Sequence, residues 1–214
     1  MYEVILCDPP WEYRDKGNAG KRGASHKYGV LNKAKLKQLD VQSLAAPNCT
    51  MFMWVTLPHM TTGLEVMKAW GFKYKTGAFV WIKTPRGDKR AYKIPLVELL
   101  KAMAEPKKVV KLGLEWLSLH WGLGHYTRSN AEIVLLGTRG KPKRVDKSVH
   151  SVVIEQHTGR HSGKPEEVHR RIEKLMGDVS RCELFAREKQ PGWDVWGDEI
   201  ECDFELNFKE DSDG

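Results

Sequence analysis

The chain has 214 residues and a mass of 24.5 kDa, with 41% hydrophobic residues, 29% charged residues and a mean hydropathy of -0.52. This length suggests one domain, and this composition excludes a mostly disordered chain. The sequence contains no run of about 18 apolar residues, and its N-terminus lacks the basic and apolar regions of a signal peptide. We therefore expect an intracellular, cytoplasmic protein without a membrane span.

The charge is divided sharply along the chain. The formal net charge is +7, but residues 194–214 hold nine acidic residues and one basic residue, which leaves +15 for residues 1–193. A body this basic is typical of polyanion binders, because neutralising phosphates releases counterions. The alternative is a soluble surface that is merely rich in lysine. We expect residues 201–214 to form an acidic tail that is disordered or covers the basic surface.

Basic residues are concentrated in segments that contain loop signals. Residues 12–31 combine five basic residues with four glycines, a composition typical of a mobile surface loop. Residues 85–111 and 138–148 are also basic. We expect one domain over residues 1–200, with a helical, basic insertion at about 85–120.

Strand and helix patterns alternate along the rest of the chain. Short apolar or β-branched runs predict strands, and they cover residues 2–7, 51–55, 76–82, 131–136 and 183–185. Helical spacing predicts helices over residues 57–70, ended by Gly71 at C′, and 165–176. This alternation predicts an α/β fold with a mostly parallel sheet covered by helices on both faces.

The sequence predicts neither disulfide bonds nor a metal site. The four cysteines are scattered without paired spacing, which favours reduced thiols. His157 and His161 have the spacing of a helical metal pair, but Gly159 lies between them and no other ligand type is clustered nearby. Trp54, Trp70 and Trp81 fall within apolar elements and are expected in the core.

The most informative residues follow the first strand: Asp8, Pro9, Pro10 and Trp11. In parallel sheets, ligands bind beyond the carboxyl ends of the strands. Because the two prolines remove two backbone donors, the segment offers only acceptors, which suits a ligand whose amine carries two hydrogens. Trp11 offers a flat face for a base. The alternative is a strand terminator followed by a core tryptophan.

Asp-Pro-Pro-Trp after an N-terminal strand resembles the catalytic motif of S-adenosylmethionine-dependent amino-methyltransferases. From Val4 to Ile200 the chain resembles the family typified by the catalytic subunit of the eukaryotic messenger-RNA N6-adenosine methyltransferase, which includes bacterial and phage members. The further matching segments are residues 124–137, 161–167, 183–187, 191–193 and 197–199. The resemblance implies a Rossmann-like fold in a permuted order, with the catalytic strand first and the cofactor strand last.

The resemblance also implies site residues. It assigns Asp8 and Pro9 to the target amine, and Pro10 and Trp11 to the base. The residues that it assigns to S-adenosylmethionine are Asp8, Lys164, Arg187, Asp198 and Glu199. Each also has an ordinary interpretation: Lys164 as part of a helix start, Arg187 as a surface ion pair, and the two carboxylates as solvated charge.

The residues that we expect to contact the substrate are Trp11, Tyr13, Lys21, Arg22, Lys27, Tyr28 and Arg128. The resemblance to bacterial and phage members favours N6 methylation of adenine in DNA. The alternatives are an RNA substrate, a non-catalytic nucleic-acid-binding subunit, and methylation of a protein or small-molecule amine. The partner is then nucleic acid, and a homodimer or a heterodimer with a related subunit is a further expectation.

Overall fold

The computed structural model describes residues 1–12, 31–85, 119–124, 126–157 and 163–209. The chain divides into two compact units. Unit 1 comprises Met1–Phe79, Glu132–Ser151 and Ile172–Gly214, and unit 2 comprises Val80–Ala131 and Val152–Arg171. The sequence predicted one domain over residues 1–200. That domain assignment stays a prediction. Unit 2 joins segments that are distant in the chain, a feature that local periodicity does not reveal.

Strands and helices alternate as the sequence predicted, with additional short elements. The strands are β1 (Tyr2–Cys7), β2 (Ala45–Val55), β3 (Lys73–Thr84), β4 (Ala131–Arg139), β5 (Val152–Gln156), β6 (Arg181–Leu184) and β7 (Asp194–Trp196). The helices are α1 (Lys33–Gln38), α2 (Val41–Leu44), α3 (Met60–Ala69) and α4 (Glu167–Met176), with a 3₁₀ turn at Leu57–His59. No helix of the described residues is long and apolar enough to cross a membrane.

The strands of unit 1 follow the order β4-β2-β1-β6-β7, and the first half of β3 adjoins β4. Strand β1 pairs in parallel with β2 and β6, and β6 pairs in parallel with β7. Strand β4 is antiparallel to β2, so the sheet is mixed. The expected α/β, Rossmann-like class is confirmed, and β1 lies between two parallel neighbours with its carboxyl end beside theirs.

The core of unit 1 is formed by aliphatic side chains, aromatic rings and thiols. Trp54 and Trp70 are buried as predicted, and the Trp70 indole N–H donates to the Leu36 carbonyl at 2.7 Å. All four cysteines are free, and burial raises the pKa of Cys7 and brings that of Cys49 to about 12. These two thiols therefore stay protonated and pack as small hydrophobic groups.

The end of α3 agrees with the sequence prediction. Gly71 has φ 82°, and its N–H donates to the Lys68 carbonyl while that of Phe72 donates to the Met67 carbonyl. This is a Schellman arrangement, in which a glycine at C′ adopts the left-handed conformation without strain. A Cβ atom at position 71 would lie 2.6 Å from the end of the flexible Gln42 side chain, so the positive φ rather than packing requires glycine.

Unit 2 contains the second half of β3, which pairs in parallel with β5 over Val80–Thr84. Trp81 is buried as predicted and donates its indole N–H to the Glu155 carbonyl at 3.2 Å. The backbone N–H of Lys83 donates to Asn130, and that of His120 donates to Lys83. The predicted insertion at 85–120 falls almost wholly outside the described residues.

Residues 201–209 pack against the rest of unit 1, so this part of the expected acidic tail is ordered. Leu206 is only 8% exposed, and the Phe204 ring lies 5.4 Å from that of Tyr2. Phe208 forms an antiparallel bridge with Leu39. Composition hides these contacts because the apolar residues alternate with acidic ones. Residues 210–214 lie outside the described residues.

The Asp203 carboxylate joins this acidic segment to β7. It accepts from the Val195 backbone N–H at 2.9 Å and pairs with the Lys189 ammonium, and these contacts hold its pKa below the usual 3.8. A carboxylate with a lowered folded-state pKa stabilises the fold above its unfolded-state pKa. That stabilisation is lost as the pH falls through the folded-state pKa.

We expect Asp203→Asn to lower the free energy of unfolding at neutral pH, because it removes the ion pair with Lys189. The difference from wild type should shrink as the pH falls below 3.8, since the wild-type carboxylate then also becomes neutral. Urea unfolding across this pH range measures the difference in free energy of unfolding. The control is Glu205→Gln, which removes an exposed carboxylate from the same segment. A difference that is constant with pH would contradict this role.

Candidate active site

Four loops of unit 1 follow parallel strands and meet at one edge of the sheet, which we call the carboxyl edge. They begin after β1, β2, β6 and β7 at residues 8, 56, 185 and 197. Because β4 runs antiparallel to β2, Glu132 near its start also lies at this edge. Ligand sites of open α/β sheets form at such edges. The strand order therefore brings together the predicted site residues Asp8, Arg187, Asp198 and Glu199 at the same edge.

The Asp-Pro-Pro-Trp segment (residues 8–11) leaves the sheet directly from the central strand β1. The Asp8 backbone N–H donates to the Leu184 carbonyl of β6 at 3.4 Å, which extends the pairing by one residue. Pro9 is buried, whereas Asp8 and Pro10 are half-buried. Since neither proline carries an N–H, the middle of the segment offers acceptors and no donors.

Trp11 is only 5% exposed, which differs from the open stacking face expected from the sequence. Its indole N–H donates to the Trp54 carbonyl of β2 at 3.1 Å. One ring face stacks on His59, with centroids 5.8 Å apart and planes 14° apart. A buried indole whose N–H has an acceptor is a stable packing unit. Trp11 therefore anchors the end of the segment.

The loop after β6 has an unusual backbone. Among the described residues, Phe185 is the non-glycine residue with a positive φ, at 63°. A bulky residue in this conformation is strained, and such strain is concentrated at functional sites. The Phe185 ring packs edge-on against Trp196 at 5.4 Å, and the Ala186 N–H donates to the Trp196 carbonyl at 3.0 Å. These contacts hold Arg187, which is half-buried, next to β7.

The loop after β7 lies against the loop after β6. A Cβ atom at Gly197 would be 2.1 Å from the Ala186 carbonyl oxygen, so the close approach of the two backbones requires glycine. The Cys202 thiol lies 3.4 Å from both the N and the O of Gly197 and closes the turn. Asp198 and Glu199 are exposed on this turn.

The charged side chains of these two loops fit S-adenosylmethionine. A guanidinium such as that of Arg187 binds a carboxylate in a charge-assisted pair, and exposed carboxylates accept hydrogen bonds from ribose hydroxyls. The ligand carries both an amino-acid carboxylate and a ribose. Arg187, Asp198 and Glu199 therefore present the chemistry that this cofactor requires, on adjacent loops of one unit.

Two predicted site residues belong to unit 2. Lys164 is half-buried and precedes the buried Pro165, whose carbonyl accepts from the Val168 N–H at the start of α4. The Arg128 guanidinium lies 4.4 Å from the centroid of the Trp121 ring, and Trp121 is 73% exposed. A cation over an exposed indole suits contact with nucleic acid, because it offers charge for phosphate and a face for bases.

The remaining predicted substrate residues lie outside the described residues. They are Tyr13, Lys21, Arg22, Lys27 and Tyr28. Their roles stay predictions. No group of three or more His, Cys, Asp and Glu side chains that would hold a metal ion occurs within the described ranges.

Sequence reasoning missed two side chains at the carboxyl edge, Thr56 and His59. The Thr56 hydroxyl and the Nδ1 atom of His59 are 2.8 Å apart, and Nε2 lies 3.0 Å from the Glu12 carbonyl oxygen. The signal was present in the polar residues after the strand at 51–55. The sequence predicts one helix over residues 57–70, which conceals His59, whereas the structure has a 3₁₀ turn at Leu57–His59 before α3.

Comparisons with known proteins place the chain in a family. The family model described as MT-A70 matches residues 2–115 and 107–199. The type II methyltransferase M.MunI of Mycoplasma sp is 34% identical over 217 residues, which cover 93% of this chain and 78% of that protein. An MT-A70-like N(6)-adenosine-methyltransferase of Arabidopsis thaliana is 24% identical, and the human N(6)-adenosine-methyltransferase catalytic subunit METTL3 is 23% identical. The alignments cover 93% and 94% of this chain, but only 24% and 28% of those two proteins.

The strain at Phe185 is testable with a matched pair of substitutions. Phe185→Gly and Phe185→Ala both remove the contact with Trp196, but only glycine adopts the positive φ without strain. We expect the glycine variant to be more stable than the alanine variant by about 1 kcal/mol in urea unfolding.

At Glu188, which has no positive φ, the same two substitutions should give the opposite order, because glycine there increases only the entropy of the unfolded chain. An alanine variant at position 185 that is as stable as the glycine variant would contradict the claim that the backbone is strained at Phe185.

Proposed function

Because this chain belongs to the MT-A70 family and takes its methyl group from S-adenosylmethionine, we propose that it methylates the N6 amine of adenine in DNA. The observation that carries this proposal is the Asp-Pro-Pro-Trp segment at the carboxyl edge. Its backbone is anchored by the Asp8 N–H at one end and by the Trp11 indole at the other. Between these anchors it offers hydrogen-bond acceptors alone.

An adenine amine is a weak nucleophile, because its nitrogen lone pair is delocalised into the ring. In the proposed reaction the Asp8 carboxylate accepts one N6 hydrogen and the Pro9 carbonyl accepts the other. These two hydrogen bonds favour a pyramidal nitrogen and stabilise the positive charge that develops on it, an effect that is strongest where water is excluded. As the methyl group is transferred, the nitrogen loses one proton, for which Asp8 is the acceptor.

The cofactor supplies an electrophilic methyl group on a positively charged sulfur. We assign its carboxylate to Arg187 and its ribose hydroxyls to Asp198 and Glu199, on the chemistry of those side chains. Asp8 is proposed as a further contact of the cofactor, and the predicted cofactor role of Lys164 stays a prediction. The close approach of the Gly197 and Ala186 backbones supports this assignment, because it fixes the spacing between the loop after β6, which carries Arg187, and the loop after β7, which carries the two carboxylates.

The target base requires a flat apolar surface beside the acceptors. Trp11 is nearly covered by His59 and by its own packing, whereas Pro10 is half-buried and keeps part of its ring exposed. We therefore propose that the exposed part of the Pro10 ring contacts the target base and that the buried Trp11 holds Pro10 in place. A base in a duplex must first leave the stack, at a cost of a few kcal/mol.

DNA is favoured over RNA by the relatives. The chain matches the Mycoplasma type II methyltransferase along most of both lengths, but spans only about a quarter of the Arabidopsis and human N(6)-adenosine-methyltransferases. The net charge of +15 over residues 1–193 suits either polymer. A nucleic-acid substrate also fits the expected cytoplasmic location. The predicted dimer stays a prediction.

We expect Asp8→Ala to reduce methylation by at least about 10²–10³-fold, because it removes an acceptor at the nitrogen that becomes charged. The affinity for S-adenosylmethionine should fall much less, since Arg187, Asp198 and Glu199 remain. Incorporation of labelled methyl groups into duplex DNA, single-stranded DNA and RNA measures the first quantity, and calorimetric titration measures the second.

The control is Asp178→Ala, which removes a fully exposed carboxylate of the same unit. Turnover of Asp8→Ala at the rate of this control would contradict the assigned role of Asp8. Activity of the wild type on RNA alone would replace DNA by RNA as the substrate.

A further inference from the structure

We propose that His59 is a positioning residue for methyl transfer, which fixes the C-terminal end of the Asp-Pro-Pro-Trp segment. This assignment rests on the proposed function, because it concerns the orientation of the acceptors at the target amine. His59 belongs to the 3₁₀ turn Leu57–His59 after β2, the parallel neighbour of β1. Its contacts with Trp11 and Glu12 join that turn to the chain that leaves β1.

The need for such a residue follows from the two prolines. Pro9 and Pro10 have no N–H, so the backbone of the segment forms no donor hydrogen bonds between Asp8 and Trp11. It is held at its start by β1 and by the Asp8 N–H, at 3.4 Å from the Leu184 carbonyl. The orientation of its last carbonyls therefore depends on what holds Trp11 and Glu12.

His59 contacts both of these residues. Its ring stacks on Trp11, with centroids 5.8 Å apart and planes 14° apart. Its Nε2 atom lies 3.0 Å from the Glu12 carbonyl oxygen, and because that oxygen only accepts, Nε2 must carry the hydrogen. The Trp11 indole N–H donates separately to the Trp54 carbonyl. The indole ring is therefore held at its edge by this hydrogen bond and on one face by His59.

Thr56 completes the arrangement by binding the second ring nitrogen of His59. In the neutral ring with hydrogen on Nε2, Nδ1 is an acceptor, and it lies 2.8 Å from the Thr56 hydroxyl, which donates to it. The Glu12 carbonyl thus selects the tautomer, and the Thr56 hydroxyl, which can donate or accept, stabilises that tautomer by donating to Nδ1. Thr56 follows β2 directly, so the end of a buried strand positions both Thr56 and His59.

A loosened segment would place the Asp8 and Pro9 acceptors less accurately. Errors of about 1 Å in the position of reacting groups cost about 10²-fold in rate. We therefore expect His59→Phe, which keeps an aromatic ring but loses both hydrogen bonds, to lower kcat by about 10–10²-fold. The KM for DNA and the affinity for S-adenosylmethionine should change by less than about 3-fold, since a change that acts on the chemical step alone leaves binding intact.

The test compares His59→Phe with His59→Gln, whose side-chain amide donates a hydrogen bond toward Glu12. The control is His150→Phe, the same substitution at an exposed histidine of unit 1. Single-turnover methylation of long mixed-sequence duplex DNA gives the rate of the chemical step. The KM, calorimetric cofactor affinity and melting temperature are measured on the same samples.

The proposal predicts a slow chemical step in His59→Phe, substantial recovery in His59→Gln, and wild-type rates in the control. A wild-type rate in His59→Phe would overturn it. Parallel losses of rate, cofactor affinity and melting temperature without recovery in His59→Gln would also overturn it, because they indicate a purely structural role. A wild-type protein that methylates no nucleic acid would overturn the proposed function itself, and this assignment with it.

Discussion

The site depends on one constraint: the two residues between Asp8 and Trp11 have no backbone N–H. Such a segment suits the recognition of an amine, because no competing donors lie beside the acceptors. Its two prolines also donate no backbone hydrogen bonds, and the structure holds the segment by contacts at both ends. Strand pairing with β6 holds the start, and the indole N–H of Trp11 with the imidazole of His59 holds the end.

The neighbouring strands provide both the anchors and the second half of the site. Strand β2 supplies the Trp54 carbonyl and leads to Thr56 and His59, whereas β6 leads to the strained Phe185 and to Arg187. Their parallel pairing with β1 places these loops at one edge. The order of the strands therefore places the side chains proposed to bind the amine near those proposed to bind the cofactor.

Sequence reasoning predicted β1 and the glycine end of α3, because a continuous apolar run and a C′ glycine are local signals. It missed β5 and β7, of five and three residues, because short strands carry little periodicity. It expected an open Trp11, since the sequence does not reveal that the carbonyl of Trp54, 43 residues away, accepts the indole hydrogen. Leu206 was likewise hidden within an acidic segment, although it belongs to the core.

The central claim is that the acceptor segment after β1 serves methylation of an adenine amine. The most direct test is to digest duplex DNA after reaction with the wild-type protein and labelled S-adenosylmethionine, and to identify the labelled nucleoside by mass spectrometry. The account predicts N6-methyl-2′-deoxyadenosine. Label found on cytosine rather than on adenine would contradict it.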